Sequence, residues 1–378
     1  PLIQAEISRY VVATKKTFLE SFAEMPGPKT NFNNKQASWL VWFMFIGVIP
    51  SVAGMGGLIG AVAESGYLMI SIISVETWVF LLCLITWLIL YIGGYQSLEK
   101  ILLAMVFTFS IVTLIIAIAM QSTPFSIQAD DILGGLSFKF PTEHTALALA
   151  VFGFTGISYG EIMAYTYWCK EKGYSNHDGD PKLVKNWIKT MQTDVWITVF
   201  LVTIGTIPFF LLGASILNSQ GLYPPPNGDI IQTLLVMFTS ILGEWARWFF
   251  IPLTFFVLFS TFLSGTAAFT RTISDYFISM GLIVEKGNTR QTLIHYIAFL
   301  IPAFSCLAYF ILPNPILLLM IAGIWAALGL PIVNIGALYL VNKLDKELQP
   351  SNLTKIILTI TLVFQLGIAG LLIFSQMN

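Results

Sequence analysis

The chain has 378 residues and a formal net charge of -1, with 56% hydrophobic and only 10% charged residues. Soluble domains carry roughly 25% charged residues, so this composition excludes an ordinary soluble protein and is typical of a polytopic membrane protein. The balanced charge also excludes a broad basic surface for nucleic acid.

The apolar segments predict a single all-α transmembrane domain that covers residues 1–378. Residues 1–25 show apolar side chains at helical spacing, and we expect the end of a helix whose beginning is absent, hence a truncated chain. Nine further stretches are apolar enough to cross a bilayer. They lie at residues 38–63, 77–92, 98–120, 144–169, 193–217, 247–269, 292–312, 315–341 and 353–374.

Two other segments have an apolar pattern without predicting a crossing. Residues 230–242 are amphipathic, which predicts a helix that lies on the surface or packs over the bundle. In residues 271–290, apolar and charged residues alternate too often for burial in lipid.

The basic residues predict the orientation of the bundle. With residues 1–25 on the cytoplasmic side, only Lys139 and Arg247 of the 19 lysines and arginines fall on the opposite side. Cytoplasmic loops carry the excess of positive residues in membrane proteins, so we expect this orientation.

The sequence contains no enzyme motif, such as a His-Glu-x-x-His, Gly-x-Ser-x-Gly or glycine-rich nucleotide pattern. His144, His177 and His295 have no partner at metal-ligand spacing, and we expect structural or solvated roles for them. The three cysteines lie singly on separate apolar segments, which predicts packing rather than a disulfide or a zinc site. We therefore expect neither enzymatic activity nor a bound cofactor.

The span at residues 144–169 has an unusual centre, Gly-Phe-Thr-Gly-Ile-Ser-Tyr-Gly-Glu, at residues 153–161. Glycine permits an unwound backbone, which at membrane depth is tolerated only inside protein or along a water-filled cavity. An ionisable residue at that depth, here Glu161, is by default a functional candidate. The alternative is that the glycines allow close helix packing and that Glu161 pairs with a buried partner.

The broken span supplies oxygen atoms that suit a divalent cation. Thr155, Gly156 and Ser158 can expose backbone carbonyl groups, and the side chains of Thr155 and Ser158 add hydroxyls. Glu161 adds a charge and is the predicted metal ligand, and Tyr159 is a secondary candidate. Oxygen ligands of this kind suit hard or intermediate ions.

Two further polar residues lie in or beside the predicted spans. Asn334 follows Pro331, where a kink could free carbonyl groups and the amide could complete a coordination shell, but helix packing explains it equally well. Glu64 closes the first span and, like Glu161, is a candidate for a proton relay, with an interfacial position as the alternative for Glu64.

Three motifs resemble those of one known family. EISRYVVATKKTFLESF is similar to the end of the second helix in the natural resistance-associated macrophage protein (Nramp) family of divalent metal transporters. GGYQSLEK is similar to the connection between the fourth and fifth helices, and GISYGEIMAYTYWCKEKGY falls where the broken sixth helix lies. The resemblance covers essentially the whole chain and matches best a divergent bacterial branch, so we expect the plasma (inner) membrane of a bacterium as the location.

The resemblance implies a LeuT-like fold of two inverted five-helix repeats, with the metal bound between broken helices one and six. It also implies that helix one and most of helix two, including the Asp-Pro-Gly-Asn motif, are missing from this chain. Ile157, Ser158 and Tyr159 stand where the family has Met-Pro-His. Methionine sulfur favours soft transition metals, so Ile157 in its place leaves manganese or iron selectivity open and admits a harder ion such as Mg²⁺. Tyr159 in place of the histidine leaves the usual proton route open.

We predict a secondary transporter of divalent metal cations that works by alternating access, with proton symport left open. Its expected partners are the metal ion and the lipid bilayer, without a nucleic-acid or protein partner. The alternatives are a transporter of amino acids or other small organic solutes on the same fold, and a non-transporting membrane sensor. The residues predicted to bind the substrate are Thr155, Gly156, Ser158, Tyr159, Glu161 and Asn334.

Overall fold

The computed structural model describes residues 1–93, 95–137, 145–154, 157–224 and 230–377. Within these residues, nine helical segments are long and apolar enough to cross a membrane. The chain is therefore a polytopic helical bundle, which confirms the predicted fold class.

The N-terminal segment forms two helices, α1 (Leu2–Thr14) and α2 (Phe18–Ala23), where a single helix end was expected. Lys15 ends α1 in the left-handed conformation, with a φ of 61°. Thr17 then starts α2, because its hydroxyl accepts the Glu20 N–H at 3.2 Å and the Glu20 carboxylate accepts the Thr17 N–H at 2.7 Å. This capping box satisfies backbone donors at a new helix start, so the chain changes direction between the two helices.

A short β-hairpin occupies a segment for which the hydropathy pattern predicts only a loop. Its strands, β1 (Lys29–Phe32) and β2 (Lys35–Ser38), pair antiparallel. Asn33 and Asn34 form the turn with φ values of 47° and 62°, a conformation that asparagine tolerates. Asn33 Nδ2 donates to the carbonyl oxygen of Gly281 at 2.7 Å, which fastens the hairpin to a segment far along the chain.

The first half of the bundle continues after the hairpin with membrane helices of unequal length. Its helices are α3 (Trp39–Ile46), α4 (Val48–Met69), α5 (Val75–Ile92), α6 (Tyr95–Met120), α7 (Ala129–Gly135), α8 (Thr145–Phe154) and α9 (Tyr159–Glu171). Gly47 separates α3 from α4, and the two together make the first span. The pair α8 and α9 makes the span that the glycine-rich centre predicts to be broken.

The second half contains the longest helices. They are α10 (Pro181–Leu212), α11 (Ile230–Leu242), α12 (Arg247–Ser279), α13 (Thr289–Ile311), α14 (Pro315–Asn342) and α15 (Asn352–Met377). α12 continues to Ser279, into the first part of residues 271–290, where apolar and charged residues alternate too often for burial in lipid. Thr272, Ser274 and Asp275 are buried inside the protein, so the polar part of this helix is shielded from lipid by its neighbours.

Helix α4 lies at the centre and packs closely against α12, α13 and α14. Its glycines make this approach possible. A Cβ on Gly56 would lie 2.7 Å from the carbonyl oxygen of Ser305, and one on Gly57 would lie 2.6 Å from that of Pro315. Membrane helices associate through such small residues because lipid offers little hydrophobic driving force, and the result here is a scaffold that also carries α8 along α14.

Loops that are predicted to be cytoplasmic meet at one end of the bundle. Lys343 Nζ lies 3.6 Å from Glu24 Oε2. Lys185 Nζ donates to Glu347 Oε2 at 2.9 Å. These pairs join segments that are far apart in sequence, as the predicted orientation requires.

Candidate metal site

The broken helix is the first candidate site. α8 ends at Phe154 and α9 begins at Tyr159, with Ile157 and Ser158 in non-helical conformation between them. Two of the predicted substrate ligands, Thr155 and Gly156, lie outside the described residues. The interruption therefore falls where the glycine-rich centre predicts it.

Ser158 and Glu161 together start the second half of the broken helix. The Glu161 carboxylate accepts the Ser158 N–H at 2.7 Å, and Ser158 Oγ accepts the Glu161 N–H at 3.4 Å. This capping box satisfies donors that the first turn of α9 leaves open. The Ser-x-x-Glu spacing is itself a sequence signal for a helix start, so this role could have been read from the sequence.

The Glu161 side chain is exposed although it lies in the middle of a span. Its hydrogen bond to Ser158 uses Oε2, and within the described residues nothing donates to Oε1. The C-terminal end of α8 faces the same interruption, and the last carbonyl groups of a helix carry partial negative charge. Carboxylate and carbonyl oxygens are ligands of hard divalent cations, so the break has the chemistry of a cation site.

Tyr159 makes contacts of a different kind. Its side chain is buried, and its hydroxyl accepts the indole N–H of Trp325 on α14 at 3.1 Å. Its ring packs directly on Gly329, where a Cβ would lie 2.5 Å from the ring. Trp325 in turn stacks on Phe43 with ring centroids 5.1 Å apart. Tyr159 therefore positions the start of α9 against α14, and its role as a ligand stays a prediction.

Asn334 lies on the side of α14 that faces α15. Its amide Nδ2 donates to the carbonyl oxygen of Leu358 and to Gln365 Oε1, both at 3.1 Å. The side chain is fully buried, and its Oδ1 has no hydrogen-bond partner among the described residues. These contacts join α14 to α15 and do not bring Asn334 to Glu161, so its place in the site remains a prediction.

Glu64 lies between α4 and the amphipathic helix α11. It is 8% exposed, and its Oε1 accepts the backbone N–H of Ile231 at 2.9 Å. A carboxylate at this end of α11 is favoured by the helix dipole. Glu64 thus holds α11 on the bundle from a buried position. A proton-relay role stays a prediction.

The described histidines have backbone groups as hydrogen-bond partners. His177 is buried, with Nε2 2.8 Å from the carbonyl oxygen of Val12, and its Nδ1 accepts the Gly179 N–H at 3.2 Å. His295 is half-buried, with Nδ1 2.7 Å from the carbonyl oxygen of Gln291, and His144 lies outside the described residues. No group of three or more His, Cys, Asp or Glu side chains forms in the described part of the chain.

The sequence interpretation missed the partner of α9 on the predicted cytoplasmic side. Tyr167 donates a hydrogen bond to the carboxylate of Asp275 on α12, and both side chains are buried. Asp275 belongs to the stretch that was set aside as too polar for lipid. Its helical register with buried residues of α12 is the signal that could have placed it against protein.

A comparison with curated proteins gives no match. A comparison with protein families matches residues 14–375 to the family described as natural resistance-associated macrophage protein-like. The match spans nearly the whole chain and includes both halves of the broken helix. The chain therefore belongs to the Nramp family, which makes it an integral multi-pass membrane protein and, in general terms, a divalent metal transporter.

Proposed function

We propose that the protein is a secondary transporter that moves divalent metal cations by alternating access and binds them at the break between α8 and α9. Membership of the Nramp family supports divalent metal transport in general. The observation that carries the proposed site is the exposed carboxylate of Glu161 at an interrupted span. An ionisable residue at membrane depth is by default a candidate for substrate or proton binding.

The residues of the break favour a hard ion over a soft one. Residues 153–161 contain no methionine, cysteine or histidine, so the side chains there offer only oxygen ligands. Carboxylate, carbonyl and water oxygens suit Mg²⁺ and Mn²⁺, whereas thioether and thiolate ligands select softer metals. We therefore assign Mn²⁺ and Mg²⁺ as the substrates to test first.

Glu161 is also our candidate for proton coupling. A carboxylate that releases a bound cation can take up a proton in its place. Metal transport and proton transport would then be coupled at one side chain. A substitution that removes the charge would then lower both metal uptake and its response to a pH gradient.

The experiment measures Mn²⁺ and Mg²⁺ uptake into proteoliposomes by the parent chain and by Glu161→Gln. Glutamine serves at this position of a capping box as glutamate does, so the substitution removes the charge and keeps the helix start. We expect initial uptake to fall by about tenfold or more, since loss of even an indirect metal contact costs 10- to 100-fold in affinity.

The matched control is Glu76→Gln, which removes an exposed carboxylate in the first turn of α5. We expect this variant to transport like the parent. Unchanged uptake and pH response in Glu161→Gln would remove Glu161 from the mechanism. Uptake that is inhibited by amino acids but not by divalent ions would indicate that the transported substrate is an organic solute and not a metal ion.

A further inference from the structure

Helix α9 is held against α12 by a buried tyrosine–aspartate pair. The Tyr167 hydroxyl donates to Asp275 Oδ2, and the two side chains are 3% and 6% exposed. A hydrogen bond to a carboxylate is stronger than one between neutral groups, and leaving either group unpaired in the interior is costly. The hydrogen bond therefore restricts the movement of α9 relative to α12.

Two more contacts flank this pair on the same face of α9. Arg271 on α12 donates through Nε to Glu171 Oε1 at 2.5 Å and through Nη2 to Oε2 at 3.4 Å. Tyr276, also on α12, lies with its hydroxyl 3.7 Å from the sulfur of Met163. Met163, Tyr167 and Glu171 are four residues apart along α9, so they form one stripe of the helix. We call this stripe and its partners on α12 the α9–α12 contact.

A third helix adds to the contact. The guanidinium carbon of Arg290, at the start of α13, lies 5.9 Å from the centre of the Tyr167 ring. Arg271 is likewise 5.9 Å from the ring of Trp168 on α9. The predicted cytoplasmic half of the broken helix is thus held by contacts with both α12 and α13.

Exposure varies along α9. Glu161 in its first turn and Glu171 at its end are exposed, whereas Met163 and Tyr167 between them, and Asp275 on α12, are buried. Tyr167 lies two turns, about 12 Å, along the helix from Tyr159. The structure therefore combines an exposed carboxylate at the start of α9 with buried contacts to α12 farther along the same helix.

We propose that Tyr167 and Asp275 are positioning residues that form a cytoplasmic gate, and that their hydrogen bond must break in each cycle for the substrate to leave. The inference rests on the proposed transport function and deepens it. It names the pair of side chains whose separation opens the site to the predicted cytoplasmic side.

The same helix provides a matched control. Tyr165 donates to Asp194 Oδ2 on α10 at 2.9 Å, so it makes the same chemical pair with a different helix. Asp194 is also bound by Lys172 at 2.8 Å. If the loss of either tyrosine–aspartate hydrogen bond were enough to loosen α9, then Tyr165→Phe and Tyr167→Phe would change the labelling rate equally.

The test measures access to a cysteine placed between the gate and the site. Ile162→Cys is suitable, because this residue is 2% exposed and lies on α9 outside the α9–α12 contact. The three native cysteines are replaced by alanine. A membrane-impermeant maleimide is then applied to the predicted cytoplasmic side of inside-out vesicles, without added metal. Monodisperse elution in detergent verifies that each variant is folded.

We expect Tyr167→Phe to raise the labelling rate about tenfold or more, because a buried hydrogen bond to a charged group contributes about one to two factors of ten to such an equilibrium. Asp275→Asn, which removes the charge, should raise it in the same direction, and Tyr165→Phe should leave it unchanged. Equal labelling of Tyr167→Phe and the parent would overturn the gate, as would equal increases in Tyr165→Phe and Tyr167→Phe. If Tyr167→Phe fails to fold, Asp275→Asn decides by the same criterion.

Labelling and uptake separate the two proposals. Faster labelling of Tyr167→Phe in a chain that carries no Mn²⁺ or Mg²⁺ would support the gate and contradict metal transport. Normal Mn²⁺ uptake by the parent with unchanged labelling of Tyr167→Phe would contradict the gate alone.

Discussion

The carboxylate of Glu161 accepts the backbone N–H of Ser158 at 2.7 Å, so the acidic residue that marks the broken span also builds the start of its second half. The two roles are compatible, because the cap uses Oε2 and the first turn of a helix favours a negative charge. The proposed ion binding at Glu161 would thereby be coupled to the position of α9. A cation that draws the carboxylate away from Ser158 would weaken the helix start.

The first prediction concerns this cap. Ser158→Ala removes the side-chain oxygen that accepts the Glu161 N–H, and loss of such a cap costs about 1 kcal/mol. We expect a lower apparent melting temperature in detergent. Ser158→Thr keeps the hydroxyl and should melt like the parent. Equal melting of the alanine variant and the parent would contradict the role of the cap in stability.

The second prediction concerns the bond between Tyr159 and Trp325. Tyr159→Phe and Trp325→Phe each remove one partner of the 3.1 Å hydrogen bond. We expect the double variant to be less destabilised than the sum of the single variants, with a coupling of about 1 kcal/mol. A double-mutant cycle of unfolding free energies measures this term. Strict additivity would show that the bond contributes nothing to stability.

The third prediction concerns the glycine under the Tyr159 ring. A Cβ on Gly329 would lie 2.5 Å from that ring, whereas one on Gly367 in α15 would meet nothing within 4 Å. Gly329→Ala should therefore destabilise by about 1–3 kcal/mol because the ring has to move. Gly367→Ala should be neutral or stabilising, since alanine is the better helix former. Thermal melting of the two variants compares them directly, and equal melting would contradict the tight contact.

The fourth prediction concerns pH and Glu24 on the predicted cytoplasmic side. Burial acts to raise the pKa of Glu24, but the hydrogen bond and charge of Lys16, the Tyr10 hydroxyl and the charge of Lys343 outweigh it and lower the pKa below 4.5. A carboxyl whose pKa is lower in the folded state stabilises the fold above its unfolded pKa. That contribution disappears as the pH falls through the folded value.

Glu24→Gln should consequently melt below the parent at neutral pH, and the difference should shrink as the pH falls below 4.5. Apparent melting temperatures over a pH series provide the measurement. Glu285→Gln, at an exposed position, serves as the control and should follow the parent at every pH. A Glu24→Gln deficit that stays constant down to acidic pH would contradict the ionic origin of the effect.

Some features of the fold follow from local sequence patterns, and others do not. The interruption at residues 157–158 follows from glycine content, and α11 follows from its amphipathic period. The hairpin turn at Asn33 and Asn34 escaped notice because a short polar loop has no hydropathy signal. The contact of Asp275 with Tyr167 does not follow from the sequence, since a charged residue argues against lipid contact but does not reveal a protein partner.

The sequence alone determined the number and approximate place of the membrane spans, the break in one of them and the family, because each depends on composition or motifs within a single stretch. Only the tertiary structure decided that Tyr167 meets Asp275, that Tyr159 bonds to Trp325 and that Asn334 turns towards α15. Such contacts depend on which helices become neighbours and on their rotation about their axes. Successive residues of a helix point about 100° apart around its axis, so a small rotation of the helix changes which side chains face a neighbour. No pattern within one helix specifies which neighbouring helix a side chain will face.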